Sequence, residues 1–456
     1  MSQITPERAA AYAVLRRTFE GDEYTEAAFR DEAEKRSLTG RSRSQAMRMA
    51  YGAVQRKGSV DAIVSGLIRN KGQRPDPPVM AALRLGIFEL LFSDGTPDHA
   101  VVDQAVSLTR DSGAAYAAGF VNALLRRTLR ERESVMAKLA DDSTPAAAAM
   151  AHSAPDWLVE MWWKQLGPER ARTVLAAANQ PSERALRVNT ARTTTNEMIE
   201  RLSADDLELT PAEGPWPLAP AELLIARGNL AEAEIAAGEG LVVAQSRGSA
   251  AVIEVLDPQP GERILDLCAG PGIKTGQIAA RVGRQGNMVS IEPNEERAAD
   301  VAEQLQRLGF HNGLVMEADA RKGEILSTFD RVVVDAPCSD LGALASRPDA
   351  RWRKSPAVID RVVTLQAEIL DRAAQCLGPG GTLVYSTCTI SKKENSAQVL
   401  AYAERSGLVI DDLGELAPDL ADSADSRFIQ LLPDRDHTTG FFIARLKMPG
   451  SPVASG

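Results

Sequence analysis

Residues 262–280 read ERILDLCAGPGIKTGQIAA, a short apolar run that passes through a turn rich in small residues into a segment with helical spacing. Such a strand, turn and helix open a parallel α/β unit. Asp266, Gly270 and Gly272 occupy the turn, which superficially resembles two phosphate loops. A Walker loop needs G-x-x-x-x-G-K-[ST], and here Ile273 precedes Lys274 and Thr275. The dinucleotide fingerprint G-x-G-x-x-G also fails, because Thr275 stands where the third glycine belongs.

Downstream the alternation continues. The apolar runs NMVSIEP (287–293), GLVMEAD (313–319), RVVVDAP (331–337) and GTLVYST (381–387) are separated by helical segments, which signals a parallel sheet with helices on both faces. Ligands of such sheets bind outside the carboxyl ends of the strands. Glu292, Asp319 and Asp335 all fall at those ends. An acid after the second strand suits a ribose diol. The expected ligand is therefore a nucleoside without a pyrophosphate, of which S-adenosylmethionine is the common case.

Two further strand ends carry thiols: Cys338 in Asp335-Ala336-Pro337-Cys338, and Cys388 after Ser386-Thr387. A lone cysteine at a strand end is more often a small buried hydrophobe than a nucleophile. Two at the rim of one cleft, beside a carboxylate, favour chemistry. Cys376 lacks such a context and is expected in the core, and Cys268 within the glycine-rich turn is expected to serve packing or backbone geometry. Only four cysteines occur, none in C-x-x-C, and the four histidines are scattered. Neither a disulfide framework nor a metal site is expected, so the thiols should be free.

The 456 residues suffice for two or three domains. No apolar run has membrane-spanning length, and MSQITPERAAAYAVLRR lacks the features of a secretory signal; a cytoplasmic protein with no membrane partner is the default. Net charge is −10 but unevenly divided. Residues 1–140 hold 21 Lys+Arg against 17 Asp+Glu, leaving 31 against 45 for the rest. Within the first part Arg41, Arg43, Arg48, Arg56, Lys57, Arg69, Lys71 and Arg74 form a basic stretch, an electrostatic footprint suited to nucleic acid or else a solvated helix face.

The first part reads as successive helices: AAYAVLRRTF, AMRMAYGAV, VDAIVSGLI, VMAALRLGIFELLF and GFVNALLRRTL carry apolar residues at three- and four-residue spacing. Residues 1–140 are thus expected as an all-α domain. Residues 141–237 follow as a linker and small α+β connector, with the proline-rich PAEGPWPLAP (211–220) as a loop. Residues 238–448 should form the α/β domain and 449–456 a flexible tail.

DLCAGPGIKT, DAPCSDLG followed by RPDARW, LVYSTCTISKKEN and QLLPDRDHTTGFFIARL resemble, in order and spacing, the RNA 5-methylcytosine methyltransferases of the NOL/NOP/Sun class. LRLGIFELLF, PDHAVVDQAV and GFVNALLRR resemble the NusB-type RNA-binding domain that precedes catalysis in the bacterial Sun or RsmB branch, and WLVEMWWKQLG and LRVNTART its connecting region. The resemblance spans nearly the whole chain. It implies a Rossmann-like methyltransferase domain that uses S-adenosylmethionine to methylate carbon 5 of a cytosine in RNA, with small-subunit ribosomal RNA foremost, in a protein expected as a monomer. Cys388 would be the nucleophile, Cys338 would assist breakdown of the adduct, Asp335 would bond the cytosine ring at nitrogen 3, and Lys274 would assist. Cys268, Ala269, Gly270, Pro271, Gly272, Ile273 and Lys274, with Glu292, Asp319 and Asp335, would hold the cofactor. A transfer-RNA methyltransferase of the same chemistry, or a non-catalytic RNA-binding assembly factor, are the rivals. The chain departs from the family pattern after Cys338: Ser339-Asp340-Leu341-Gly342 replaces Ser-Ala-Thr-Gly or Ser-Gly-Thr-Gly, and Ala345-Ser346 replaces a basic pair.

Overall fold

A computed structural model describes residues 4–68, 74–203, 207–283, 286–311, 313–322 and 327–449. Arg69 and Lys71 of the basic stretch, and 450–456 of the expected tail, lie outside the described residues. The chain forms two compact units, one of residues 1–181 with 344–355, the other of 182–343 with 356–456.

The first unit is helical. Its long helices are Pro6–Glu20, Thr25–Lys35, Gly40–Gln55, Lys57–Leu67, Pro77–Phe92, Asp98–Thr109 and Ala118–Arg130. Prolines at the first turns of Pro6–Glu20 and Pro77–Phe92 sit where a missing N–H costs nothing. Helix Pro77–Phe92 is apolar nearly all round because it is the central element, buried from Val79 to Leu90 between two hydrophobic clusters. Gly52 allows that close packing, since a Cβ there would sit 2.1 Å from the Phe88 ring.

Helices continue through Pro145–Ala151, Asp156–Leu166 and Pro168–Ala177, and the segment 344–355 belongs to the same unit. That segment is pinned by its polar atoms. Arg351, 1% exposed, donates to the carbonyls of Ser153 (3.1 Å) and Ala178 (2.9 Å) and to Asn179 Oδ1 (2.9 Å). Trp352 Nε1 donates to Val54 O at 2.8 Å. The basic stretch is partly consumed in the same way. Lys57 Nζ lies 4.6 Å from the Trp352 ring, and the Arg56 guanidinium lies 4.6 Å from Phe92 while donating to Ala151 O. Arg41, Arg48 and Arg74 remain exposed.

The second unit holds two sheets. Strands β1 (Ala185–Val188), β2 (Leu207–Pro211), β3 (Leu223–Gly228) and β4 (Val242–Ala244) form an antiparallel sheet in the order β2-β3-β1-β4. Helices Thr195–Leu202 and Ala231–Gly238 contribute to its core. The larger sheet contains β5 (Arg263–Asp266), β6 (Asn287–Glu292), β7 (Gly313–Glu317), β8 (Phe329–Asp335), β9 (Leu377–Thr387), β10 (Val409–Asp411), β11 (Ile429–Gln430) and β12 (Phe442–Lys447).

Its order is β10-β12-β9-β8-β5-β6-β7, with β11 on β12. The five strands anticipated from the apolar runs are the parallel ones, β9-β8-β5-β6-β7. The antiparallel β10, β11 and β12 extend one side of it. Cores on both faces account for the continuous apolar strands. Because β6 and β8 flank β5 on opposite sides, the order reverses there, and a crevice opens at the carboxyl ends. Among the described residues no helix is long and apolar enough to cross a membrane.

Candidate active site at the carboxyl ends of the parallel strands

Strand β5 ends on Asp266, which is 1% exposed. Its Oδ2 accepts from Thr275 Oγ1 at 2.7 Å and its Oδ1 from the Cys268 N–H at 3.3 Å, so it fastens both ends of the glycine-rich turn. Burial pushes its carboxyl up to about 6, against the lowering effect of those donors. Gly270 follows at φ +55°, and no atom lies within 4 Å of where its Cβ would be. The turn thus presents bare backbone to open space, a conformation that favours glycine. The Gly270 N–H donates to Glu292 Oε2 (3.1 Å) at the end of β6, and the Asn294 N–H to Oε1 (3.1 Å). Glu292 is 3% exposed and paired at 2.6 Å with Arg297, whose side chain is mostly exposed. Asp319, after β7, is gripped by Arg321 through both oxygens (2.9 and 2.6 Å), and these bonds hold its carboxyl down at about 2.

Cys268 is half-buried against the core of one sheet face. Burial, with Asp266, Asp335 and Glu292 adding to it, pushes its thiol well up, so packing rather than reactivity is its part. Cys376 is buried in the same core. None of the four cysteines is in a disulfide.

The other side of the crevice gathers the remaining predicted residues. Asp335, ending β8, accepts from Lys274 Nζ at 2.7 Å and from Ser386 Oγ at 2.8 Å. Lys274 is 9% exposed, with its ammonium 5.1 Å from the Phe441 ring. Cys338 Sγ and Cys388 Sγ stand 3.3 Å apart, although fifty residues separate them in the chain. Cys388 Sγ also donates to Asp340 Oδ1 at 3.3 Å. Cys338, Asp340 and Cys388 therefore make a compact S,S,O group. Asp340 has φ +58°, a left-handed conformation that Asp tolerates better than most residues.

Gly342 closes this region. Its N–H donates to Cys388 O and its carbonyl accepts from the Gly440 N–H, both at 2.9 Å. A Cβ on Gly342 would stand 2.2 Å from Gly440 O. Three of the quoted motifs, DAPCSDLG, YSTCT and HTTGFF, therefore meet at one backbone junction.

The structure thus brings Lys274, Asp335, Cys338 and Cys388 together, and groups the turn 268–274 with Glu292. Sequence reasoning missed Ser386, Asp340, Phe441, Glu394 and Asn395. All five lie inside motifs it had quoted, but only long-range pairing shows which of them touch the site.

A chain with this fold and these strand-end groups is a Rossmann-like methyltransferase with an N-terminal NusB-like region. A family model for the 16S rRNA methyltransferase RsmB/F matches residues 253–447, the NusB family matches 5–130, and the ferredoxin-like domain of RsmF/B-like methyltransferases matches 154–216. The chain is 31% identical over 447 residues to the probable ribosomal RNA small subunit methyltransferase B of Synechocystis, covering 96% of this chain and 99% of that one. It is 29% identical to the protein so named in Bacillus subtilis, covering 98% and 99%. The crystal structure of PH0851 superimposes with a TM-score of 0.80 at 25% identity, covering 98% and 99%. The chain belongs to the RsmB/F family of RNA methyltransferases.

Proposed function

We propose that the protein transfers a methyl group from S-adenosylmethionine to carbon 5 of a cytosine in small-subunit ribosomal RNA through a covalent adduct with Cys388. The observation that carries this reading is the pair of thiols 3.3 Å apart beside the Asp335–Lys274 ion pair. The RNA is inferred from the names of the relatives in Synechocystis and Bacillus subtilis. We further assign RNA affinity to residues 1–140, connection to 141–237 and catalysis to 238–448.

The cofactor assignment rests on fit. The open backbone at Gly270 and the buried Glu292 carboxylate suit the methionine and ribose portions of such a molecule, with Arg297 free to swing into solvent. When bound, S-adenosylmethionine supplies an electrophilic methyl group. The protein's task is to make carbon 5 nucleophilic, because that carbon is too weak a nucleophile in free cytosine.

Cys388, as a thiolate, forms a bond to carbon 6, and the displaced double-bond electrons move toward nitrogen 3 and leave carbon 5 enamine-like. The Asp335–Lys274 pair supplies a proton to nitrogen 3 as charge accumulates there and takes it back once carbon 5 has formed its bond to the methyl group. After methylation the proton on carbon 5 must leave. Cys338, as a thiolate, accepts it; the carbon–hydrogen electrons restore the ring double bond while the carbon–sulfur bond breaks and its electrons return to Cys388.

Bisulfite sequencing of deproteinised small-subunit RNA, unmodified and incubated with the protein and S-adenosylmethionine, tests the assignment. One newly protected cytosine is expected. Protection confined to transfer RNA would move the substrate, and none in RNA or assembled subunits would overturn the enzymatic reading.

A further inference from the structure

The two cysteine turns approach from different strands, and nothing in either turn alone fixes the gap between the sulfurs. A single buried dipeptide reaches both. Glu394 and Asn395 are 0% and 1% exposed. Glu394 Oε2 accepts from the Ser339 N–H at 2.9 Å and its Oε1 from Ser339 Oγ at 2.5 Å, gripping the residue next to Cys338. Gln366 Nε2 supplies a further donor to Oε2 at 3.3 Å and also donates to Pro337 O at 3.0 Å, on the other side of that cysteine.

Asn395 serves the second turn. Its Oδ1 accepts from Thr387 Oγ1 at 2.6 Å, and its Nδ2 donates to Thr389 O at 3.0 Å, so it holds both neighbours of Cys388. Gln430 Oε1 takes the other Nδ2 proton at 2.9 Å. The two turns are also tied directly, through Ser339 Oγ and Thr389 Oγ1 at 2.8 Å.

A buried carboxylate is costly unless donors satisfy it, and burial pushes Glu394 up from the ordinary carboxylate range. Donors from Ser339 and Gln366 reach its oxygens. An amide replaces it only if its NH₂ takes the Oε1 place and the Ser339 hydroxyl turns from donor to acceptor, which exchanges a charge-assisted bond for a weaker neutral one. The same logic protects Asn395: an Asp would set an oxygen against the Thr389 carbonyl and Gln430 Oε1.

We propose that Glu394 and Asn395 are paired positioning residues, Glu394 holding Cys338 and Asn395 holding Cys388, so that together they set the separation of the two thiols. This rests on the two-thiol reading above, and its consequence is specific. Damage to adjacent residues should produce opposite phenotypes, because one thiol makes the bond to the base and the other helps to break it.

The test compares Glu394→Gln and Asn395→Asp in the full-length protein, with Ser339→Ala and Thr387→Val as milder changes that remove one hydroxyl contact each. The first readout is the protein–RNA adduct on denaturing gels during turnover. Glu394→Gln and Ser339→Ala should raise it by roughly 3- to 10-fold, the scale of one lost hydrogen bond. Asn395→Asp and Thr387→Val should lower it by a similar factor. Adduct falling alike in all four would overturn the proposal.

The second readout needs no RNA. Phenylarsine oxide, which bridges two adjacent thiols, should capture the wild-type pair and fail with Cys338→Ala and Cys388→Ala. Capture should slow in all four positioning variants, while iodoacetamide still labels each cysteine. Unchanged capture rates would also overturn it. If the wild-type protein methylates no RNA, the mechanism has failed but the arsenical rates still decide the positioning claim.

Discussion

The helical unit and the catalytic unit use their charged residues in opposite ways. In the helical unit cations are building material: Arg351 is buried among carbonyls, while Arg56 and Lys57 lie over aromatic rings. In the catalytic unit the polar groups at the strand ends are held by a few specific bonds and face a crevice: Asp335 by Lys274 and Ser386, Glu292 by two backbone N–H groups. A basic run in a sequence therefore overstates the surface available to RNA. A motif at a strand end is less easily diverted, because the sheet dictates where it points.

The sharpest break of that comparison is chemical. Lys274→Ala removes the cation from Asp335 and should leave no methylation above background, with the fold retained in circular dichroism. Activity within tenfold of wild type would show that the pair is structural, like its counterparts in the helical unit.

The next effect belongs to the helical unit. Arg351→Ala strands several buried carbonyls and should destabilise by ~3–5 kcal/mol, read as a lower denaturant midpoint for that unit. If stability changed by less than about 1 kcal/mol, within the range of an ordinary surface substitution, Arg351 would not be the anchor described above.

Asp266 supplies a pH test of the turn. Its folded value of about 6 lies above the ~3.9 expected unfolded. Its contribution to stability is thus fully present below about pH 4 and lost as pH rises through about 6, a difference of roughly 3 kcal/mol. Asp266→Asn should flatten that part of the stability profile; an unchanged slope between pH 4 and 7 would show that the carboxylate titrates normally.

Cofactor affinity should respond more gently. Glu292→Ala removes the proposed ribose acceptor and is expected to weaken S-adenosylmethionine binding by ~1–3 kcal/mol in calorimetry. The smallest effect concerns RNA. Replacing exposed Arg41 and Arg48 by Gln should flatten the salt dependence of binding by about one unit of slope per phosphate contact, whereas Lys57→Gln, already committed to Trp352, should leave the slope unchanged.

The parallel core was legible because apolar runs alternate with helical segments, and Asp335, Cys338 and Cys388 were legible because each ends such a run. Glu394 and Asn395 were not, although SKKEN had been noticed: a polar pair on a turn looks solvated until the chain folds over it. The antiparallel β10, β11 and β12 escaped for a related reason, being short and separated by irregular segments. The motif RPDARW gave no sign of its part in the helical unit, where Arg351 is buried.

The most direct test of the covalent mechanism is to follow Cys388→Ala and Cys338→Ala side by side on RNA carrying the target cytosine, with denaturing gels for adduct and bisulfite sequencing for product. Cys388→Ala should give neither adduct nor product. Cys338→Ala should accumulate an adduct that survives denaturation, and the double substitution should erase it. Adduct in Cys388→Ala with normal turnover in Cys338→Ala would reverse the two roles, and undiminished methylation in both would contradict the covalent mechanism altogether.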